Sequence, residues 1–201
     1  MKIIDVIQRS EQWHDLRLGS IGGSAINAVL AQGSGKTRKK LLYQLAAEIL
    51  TRHKTDNFVS AEMQRGIDYE SEARTAYEIL TGHKVDVVGM IVPDDAVGIH
   101  ASPDGLVGDN GVIEIKVLLP HVFVEQVDTG AIKTAYKRQI QHILWVSERS
   151  WCDYVAYCPE MPDPLYIQRV ERSKSAISTI VEKCGAFRKE LNDLVAKMEK
   201  R

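Results

Sequence analysis

The chain predicts an α/β fold with a central mixed β-sheet flanked by helices. Three observations predict it. Short β-branched runs lie in its middle and later parts, at 85–92, 97–101, 112–117, 151–158 and 165–170, with turn residues between them. Segments with apolar residues at helical spacing surround them, at 41–50, 61–80, 130–146 and 173–200. The 201 residues suffice for one domain with a real core, read as a single unit over 1–201, with no internal repeat and no low-complexity segment.

Composition bounds the function. The apolar fraction of 44% and charged fraction of 26% are those of an ordinary globular protein. A formal net charge of -1 removes any global electrostatic argument for nucleic acid, so a DNA surface has to arise from local clustering. Cys152, Cys158 and Cys184 show no CxxC spacing and read as reduced thiols. The N-terminal residues lack an apolar leader, and no run approaches the ~20 apolar residues of a membrane span. A soluble, cytoplasmic protein is expected.

In chain order, Ser10 with Glu11 and Gln12 starts a short helix that turns Trp13, Leu16 and Ile21 toward the core. Ser24 is placed as the N-cap of a helix running through Leu30. A helix start with a free hydroxyl and Arg17 nearby is a ready anion site; the alternative is a surface arginine and an ordinary cap. Gly33-Ser34-Gly35-Lys36-Thr37 is not a P-loop, because Leu30 stands where the first glycine is required and no strand precedes it. It reads as a flexible basic loop, and Lys36, Arg38, Lys39 and Lys40 form a positive cluster able to meet a DNA backbone.

Residues 41–50 form a helix, 51–60 a polar loop, and 61–80 a second helix ended by Thr81-Gly82. Glu70 and Arg74 stand one turn apart on it, the spacing of a surface ion pair. Met63, two turns before Glu70, is either a core residue or a wedge against a terminal base pair. Strands follow at 85–92 and 97–101 around an Asp94-Asp95 turn, while 122–127 is ambiguous. On the helix at 130–146, Gln139 and Gln141 either reach into a cleft or stay exposed. Strands at 151–158 and 165–170 flank a proline-rich break. On the last helix, Ile177, Cys184, Leu191 and Met198, and again Ile180, Phe187 and Leu194, make a narrow seam for the core or for a second subunit.

The chemistry concentrates at Ser102-Pro103-Asp104 and at Val112-Ile113-Glu114-Ile115-Lys116-Val117. Strand side chains alternate faces, so Glu114 and Lys116 share one face while Ile113, Ile115 and Val117 take the other. Two charges on a core strand cost several kcal/mol each unless compensated. The Gly108-Asp109-Asn110-Gly111 turn folds Asp104 back toward them. Asp104 and Glu114 would then hold a divalent cation, with Lys116 on the attacking water or the scissile phosphate. Metal-assisted phosphodiester hydrolysis requires this residue set.

Together these pieces resemble the phage lambda-type exonucleases, the YqaJ-like viral recombinase family of restriction-endonuclease-like (PD-(D/E)xK) nucleases. The residues carrying the resemblance begin with Trp13-His14-x-Leu16-Arg17-Leu18-Gly19, Ser24 and Gly66-x-x-Tyr69-Glu70-x-x-Ala73-Arg74. They continue with Ala101-Ser102-Pro103-Asp104-Gly105, Glu114-Ile115-Lys116 and Tyr136-x-x-Gln139-x-Gln141. The resemblance implies a restriction-endonuclease-like core. It implies an exonuclease that uses Mg²⁺ (or Mn²⁺), two ions per site, to degrade one strand of linear double-stranded DNA from its 5′ end. The 3′ strand left behind would serve a single-strand annealing protein, and the enzyme would be a homotrimer. Carried over by motif, Asp104, Glu114 and the Ile115 carbonyl become metal ligands and Glu70 serves a second ion. Lys116 activates or orients the nucleophile, Gln141 positions it, and Arg17, Ser24 and Ser102 bind the 5′-phosphate. The family's loop after the lysine can carry a basic residue for that phosphate; here residues 117–122 offer only His121.

Three rivals share some of these features. A restriction-type endonuclease would use the same core chemistry but would cut circular DNA. An iron–sulfur exonuclease needs four cysteines, and this chain has 3. An inactive DNA-binding module would have no reason to keep Asp104, Glu114 and Lys116.

Overall fold

From the N-terminus, strand β1 (Lys2–Ile4) leads to helix α1 (Glu11–Leu16), a 3-10 turn at Gly23–Ala25 and the short α2 (Ile26–Val29). Two long helices follow, α3 (Lys36–Thr51) and α4 (Ala61–Thr81). Strands β2 (Val85–Asp86), β3 (Met90–Val92), β4 (Gly105–Val107) and β5 (Gly111–Val117) come next. Helices α5 (Pro120–Thr129) and α6 (Thr134–Val146) lead to β6 (Trp151–Tyr157), β7 (Leu165–Glu171) and α7 (Lys174–Glu199). The computed structural model describes residues 1–31, 35–55 and 60–200.

Strand β5 is the middle of a five-stranded sheet ordered β2-β4-β5-β6-β7. Its pairing with β4 is antiparallel, through the turn the glycines and Asn110 predict, and its pairing with β6 is parallel. The mixed sheet expected from the sequence is therefore present. A second, two-stranded sheet joins β1 to β3.

The two faces of β5 enter different cores, as period-two alternation requires. Ile113 and Ile115 pack with Ala73 and Tyr77 of α4 and with Val155 and Tyr157 of β6. Val112 lies on the opposite side, in the larger core with Cys152, Tyr154 and Ala156 and with Ile140, Ile143 and Leu144 of α6. Glu114 and Lys116 alternate onto that second side. The α4 layer is pinned by a buried network in which the Tyr77 hydroxyl donates to Asp153 Oδ2 at 2.8 Å. Arg169 donates to both Asp153 oxygens at 2.8 and 2.9 Å and stacks over Trp151.

Several expectations need correction. The strand expected at 85–92 is split between the two sheets, because a side chain at Gly89 would collide with the Val6 carbonyl and the chain bends there. Residues 97–101 make only two isolated bridges, Ile21 to Ile99 and Ile91 to Ala101, since the segment is strung between two different partners. Residues 122–127 belong to helix α5, which Pro120 starts and the left-handed Gly130 ends, so α6 begins at Thr134 and not at Gly130. Lys36, Arg38, Lys39 and Lys40 sit in the first turns of α3, not in a loop; Gly33 and Ser34 lie outside the described residues, as do 56–59 of the loop at 51–60. Ser24 does not cap a helix: Gly22 holds the cap position of the 3-10 turn, and Ser24 is exposed. Leu16 is 41% exposed, whereas Trp13 and Ile21 are buried as expected.

The seam of α7 faces inward. Ile180, Cys184, Phe187, Leu191 and Val195 join the main core, where the helix packs chiefly on α3 and α6 and also on α2. No helix among the described residues is long and apolar enough to cross a membrane.

Tyr77→Phe should lower stability by about 1 kcal/mol, the net worth of one buried hydrogen bond, because Arg169 still satisfies Asp153. A shift of the urea midpoint at constant slope measures it.

Candidate active site

The site forms where β4 and β5 part. Their ladder ends at Gly105 opposite Ile113, and continuing it would set Pro103 opposite Ile115. Proline has no N–H to donate, so the pairing stops. The Asp104 side chain takes over, its Oδ2 accepting from the Ile115 N–H at 2.6 Å. The N–H and C=O of one strand residue point to the same edge, so the Ile115 carbonyl turns toward this opening as well.

Glu114 and Lys116 meet on one face of the strand, within electrostatic reach of Asp104. The Lys116 ammonium donates to Glu114 Oε1 and lies 5.2 Å from the centre of the Tyr136 ring. Gln139 Nε2 donates to the same Oε1 at 2.5 Å. Glu114 is 2% exposed. Glu114 Oε2 and Asp104 Oδ1 accept no hydrogen bond among the described residues. Two carboxylates, Glu114 buried and Asp104 half-buried, each with a free oxygen, fit a hard divalent cation. Among the described residues no group of three or more His, Cys, Asp or Glu side chains is placed to hold one metal ion, so a third protein ligand beside Asp104 and Glu114 would be a backbone oxygen.

Glu70 reaches the site from α4. Its Oε1 accepts from Arg74 at 2.6 Å and its Oε2 from Arg9, while Arg74 Nε donates to the Asp104 carbonyl at 3.0 Å. The Glu70–Arg74 pair is thus part of the site and not a simple surface pair, and both Glu70 oxygens are engaged.

Burial raises the Asp104 pKa well above the usual carboxylate range, and Glu114 and Glu70 add to the effect against Lys116 and the Ile115 amide. Burial opposes the Lys116 charge, but Glu114 and Asp104 outweigh it and raise that pKa. Lys116 therefore remains an ammonium, a hydrogen-bond donor rather than a base.

Two cavities open beside these groups. One of about 480 Å³ is lined by Arg9, Trp13, Arg17, Ser24, Met63 and His100. One of about 180 Å³ shares Arg9, Arg17 and Ser24 and adds Ser102 and Gln139. The structure thus brings Arg17, Ser24 and Ser102 together, and Gln139 links them to Glu114. The Arg17 guanidinium stacks 3.7 Å from the centre of the Trp13 ring. Trp13 Nε1 donates to the Gly89 carbonyl and to Ser102 Oγ, both at 3.1 Å.

Gln141 is a correction. It is buried away from the carboxylates, donating to the Glu171 carbonyl and accepting from the Ser173 N–H, each at 2.8 Å. Gln139, on the opposite side of α6, occupies the place expected for it. Sequence reasoning also missed Arg9 and His100. Arg9 carried no signal beyond its charge, and its backbone φ of 69° is visible only in the structure. His100 carried only its proximity to Ser102.

The comparisons agree with the fold. Residues 12–150 match the YqaJ-like viral recombinase domain. The alkaline exonuclease LHK-Exo from Laribacter hongkongensis is 35% identical, with 95% of this chain and 97% of that chain covered at a TM-score of 0.89. The same protein in complex with dAMP superposes equally well at 34% identity, with the same coverage. A phage-related exonuclease from Haemophilus somnus 129PT shares the fold at 14% identity and a TM-score of 0.68, with 89% of this chain and 96% of that one covered. No curated protein sequence matches the chain. The chain belongs to the YqaJ-like viral recombinase family, that of the lambda-type exonucleases.

Proposed function

We propose that this nuclease is a Mg²⁺-dependent 5′-to-3′ exonuclease. It would degrade one strand of linear double-stranded DNA and leave a 3′ overhang for a single-strand annealing protein. The observation that carries the reading is the convergence of Asp104, Glu114 and Lys116 at the open end of β5, beside the cavity shared by Arg17, Ser24 and Ser102. The likeness over nearly the whole chain to an alkaline exonuclease supports it.

Asp104, Glu114 and the Ile115 carbonyl would hold the ion, and Mn²⁺ would substitute. Bound there, Mg²⁺ supplies Lewis-acid activation of water and neutralises charge developing on the phosphate. Lys116 donates to the attacking water or to a phosphoryl oxygen, with Gln139 holding Glu114 in register. Glu70 would serve a second ion once Arg9 or Arg74 releases it. Arg17, Ser24 and Ser102 receive the 5′-phosphate, as a guanidinium flanked by hydroxyl donors suits a dianion. A homotrimer built from one nuclease domain over 1–201 completes the reading, with α7 spent on the protein's own core.

Asp104→Ala, Glu114→Ala or Lys116→Ala should each reduce nucleotide release from linear duplex by at least about 10²-fold while gel-shift affinity for DNA persists. Wild type should leave closed-circular DNA intact; nicking or linearisation of the circle would instead favour the endonuclease reading.

In chelator, Asp104→Asn should stabilise the protein at pH 7. A raised folded pKa means the native state binds this proton more tightly, so stability falls as pH climbs past the ordinary value of 3.8. The gain should be about 1.4 kcal/mol per unit of raised pKa and should vanish below that pH. Urea titrations at several pH values read it out.

Met63 is 60% exposed in the larger cavity, beside Ile67. As a wedge it predicts that Met63→Ala slows digestion of duplex ends several-fold more than single-stranded ends. Equal slowing would assign it to packing alone.

A further inference from the structure

Among the described residues the Arg17 guanidinium makes a single hydrogen bond. Its Nε donates to His100 Nε2 at 2.9 Å. An arginine nitrogen can only donate, so His100 Nε2 carries no proton. The ring proton then sits on Nδ1, which faces Ser20 Oγ at 2.8 Å and donates to it. Arg17, a pure donor, therefore sets the tautomer, and the Ser20 hydroxyl satisfies it by accepting the Nδ1 proton.

The imidazole is fixed from several directions. It is 2% exposed. A side chain on Gly22 would strike Nε2 at 2.5 Å, so the ring lies directly against a residue that has none. The His100 N–H donates to the Ile21 carbonyl at 3.1 Å. Its own carbonyl accepts from His142 Nε2 at 2.9 Å. Burial holds the ring neutral, reinforced by Arg17 and by His142.

We propose that His100, held by Ser20, is the positioning residue for the 5′-phosphate site: it occupies Arg17 Nε and so leaves the two terminal nitrogens for the ligand. Trp13 fixes the plane of the guanidinium and His100 fixes its rotation within that plane. An arginine free to turn can meet a phosphate side-on through Nε or end-on through its terminal pair. Here the side-on mode is blocked. The remaining pair is left to clamp one terminal phosphate in the cavity that Arg17 lines together with Ser24 and Ser102. Neutrality matters as well, because a second cation beside Arg17 would unlock the pair by repulsion.

This inference rests on the reading of Arg17, Ser24 and Ser102 as the end-phosphate site. The experiment measures kcat and KM on short duplexes with 5′-phosphorylated or 5′-hydroxyl ends, for wild type, His100→Phe, His100→Gln and Ser20→Ala. Thermal melting confirms that each variant is folded.

His100→Phe should lower the preference for phosphorylated ends about tenfold, through KM more than kcat, as befits one misdirected charged donor. His100→Gln places an amide oxygen where Nε2 accepted, and should recover much of the loss. Ser20→Ala leaves the buried Nδ1–H without a partner, frees the ring to turn away from Arg17 and should imitate His100→Phe; it serves as the test if the phenylalanine variant does not fold. A folded His100→Phe or Ser20→Ala with undiminished preference overturns the proposal, and so does a glutamine variant no better than phenylalanine. Absence of any preference in wild type would overturn the end-phosphate reading itself, and this inference with it.

Discussion

A missing N–H organises this protein. Pro103 stands where β4 would otherwise continue along β5, and a strand edge without a donor cannot extend a ladder. The two strands separate, and the backbone of Ile115 is left facing a side chain in place of a strand. An unpaired backbone group in this half-buried setting would be costly, so Asp104 is drawn in to satisfy it. One carboxylate is thereby anchored to the strand that carries Glu114 and Lys116. The chemistry of the site follows from that local failure of sheet pairing.

Electrostatics explain why the surrounding charges come as a set. Burial and neighbouring negative charges both work against an ionised Asp104. Lys116 relieves part of this. Glu70 adds to the opposition, while Arg74 and Arg9 occupy its oxygens. Arg9 accomplishes this from a left-handed backbone, a conformation costing roughly 1–2 kcal/mol for a residue with a side chain. Strain of that kind is retained where geometry is wanted, and the Arg9 side chain borders both cavities.

The legibility of the fold in the sequence tracks how local each signal is. Alternation along 112–117 assigned Glu114 and Lys116 to one face because strand periodicity involves only neighbouring residues. The long helices were equally readable. Residues 122–127 were not, since a short apolar run suits either helix or strand, and the decision rested on Pro120 at the helix start. Gln139 and Gln141 show the limit within a helix. Two positions along, the side chain has turned by about 200°, so only one can meet Glu114, and nothing local says which. Arg9 and His100 were invisible for another reason: their partners Glu70 and Arg17 lie far away in the chain, and only the folded topology brings them together.

The parallel pairing of β5 with β6 has a consequence for how the nuclease comes into being. Gly111 is bonded alongside Trp151, and helices α5 and α6 must be made before that partner exists. As the polypeptide leaves the ribosome, the strand bearing the acidic residues has one raw edge until β6 emerges, an edge open to mispairing with other nascent chains. Non-local pairings of this sort also form slowly. Glu114 and Lys116 therefore acquire their shielded setting only after β6 has been made, late in synthesis.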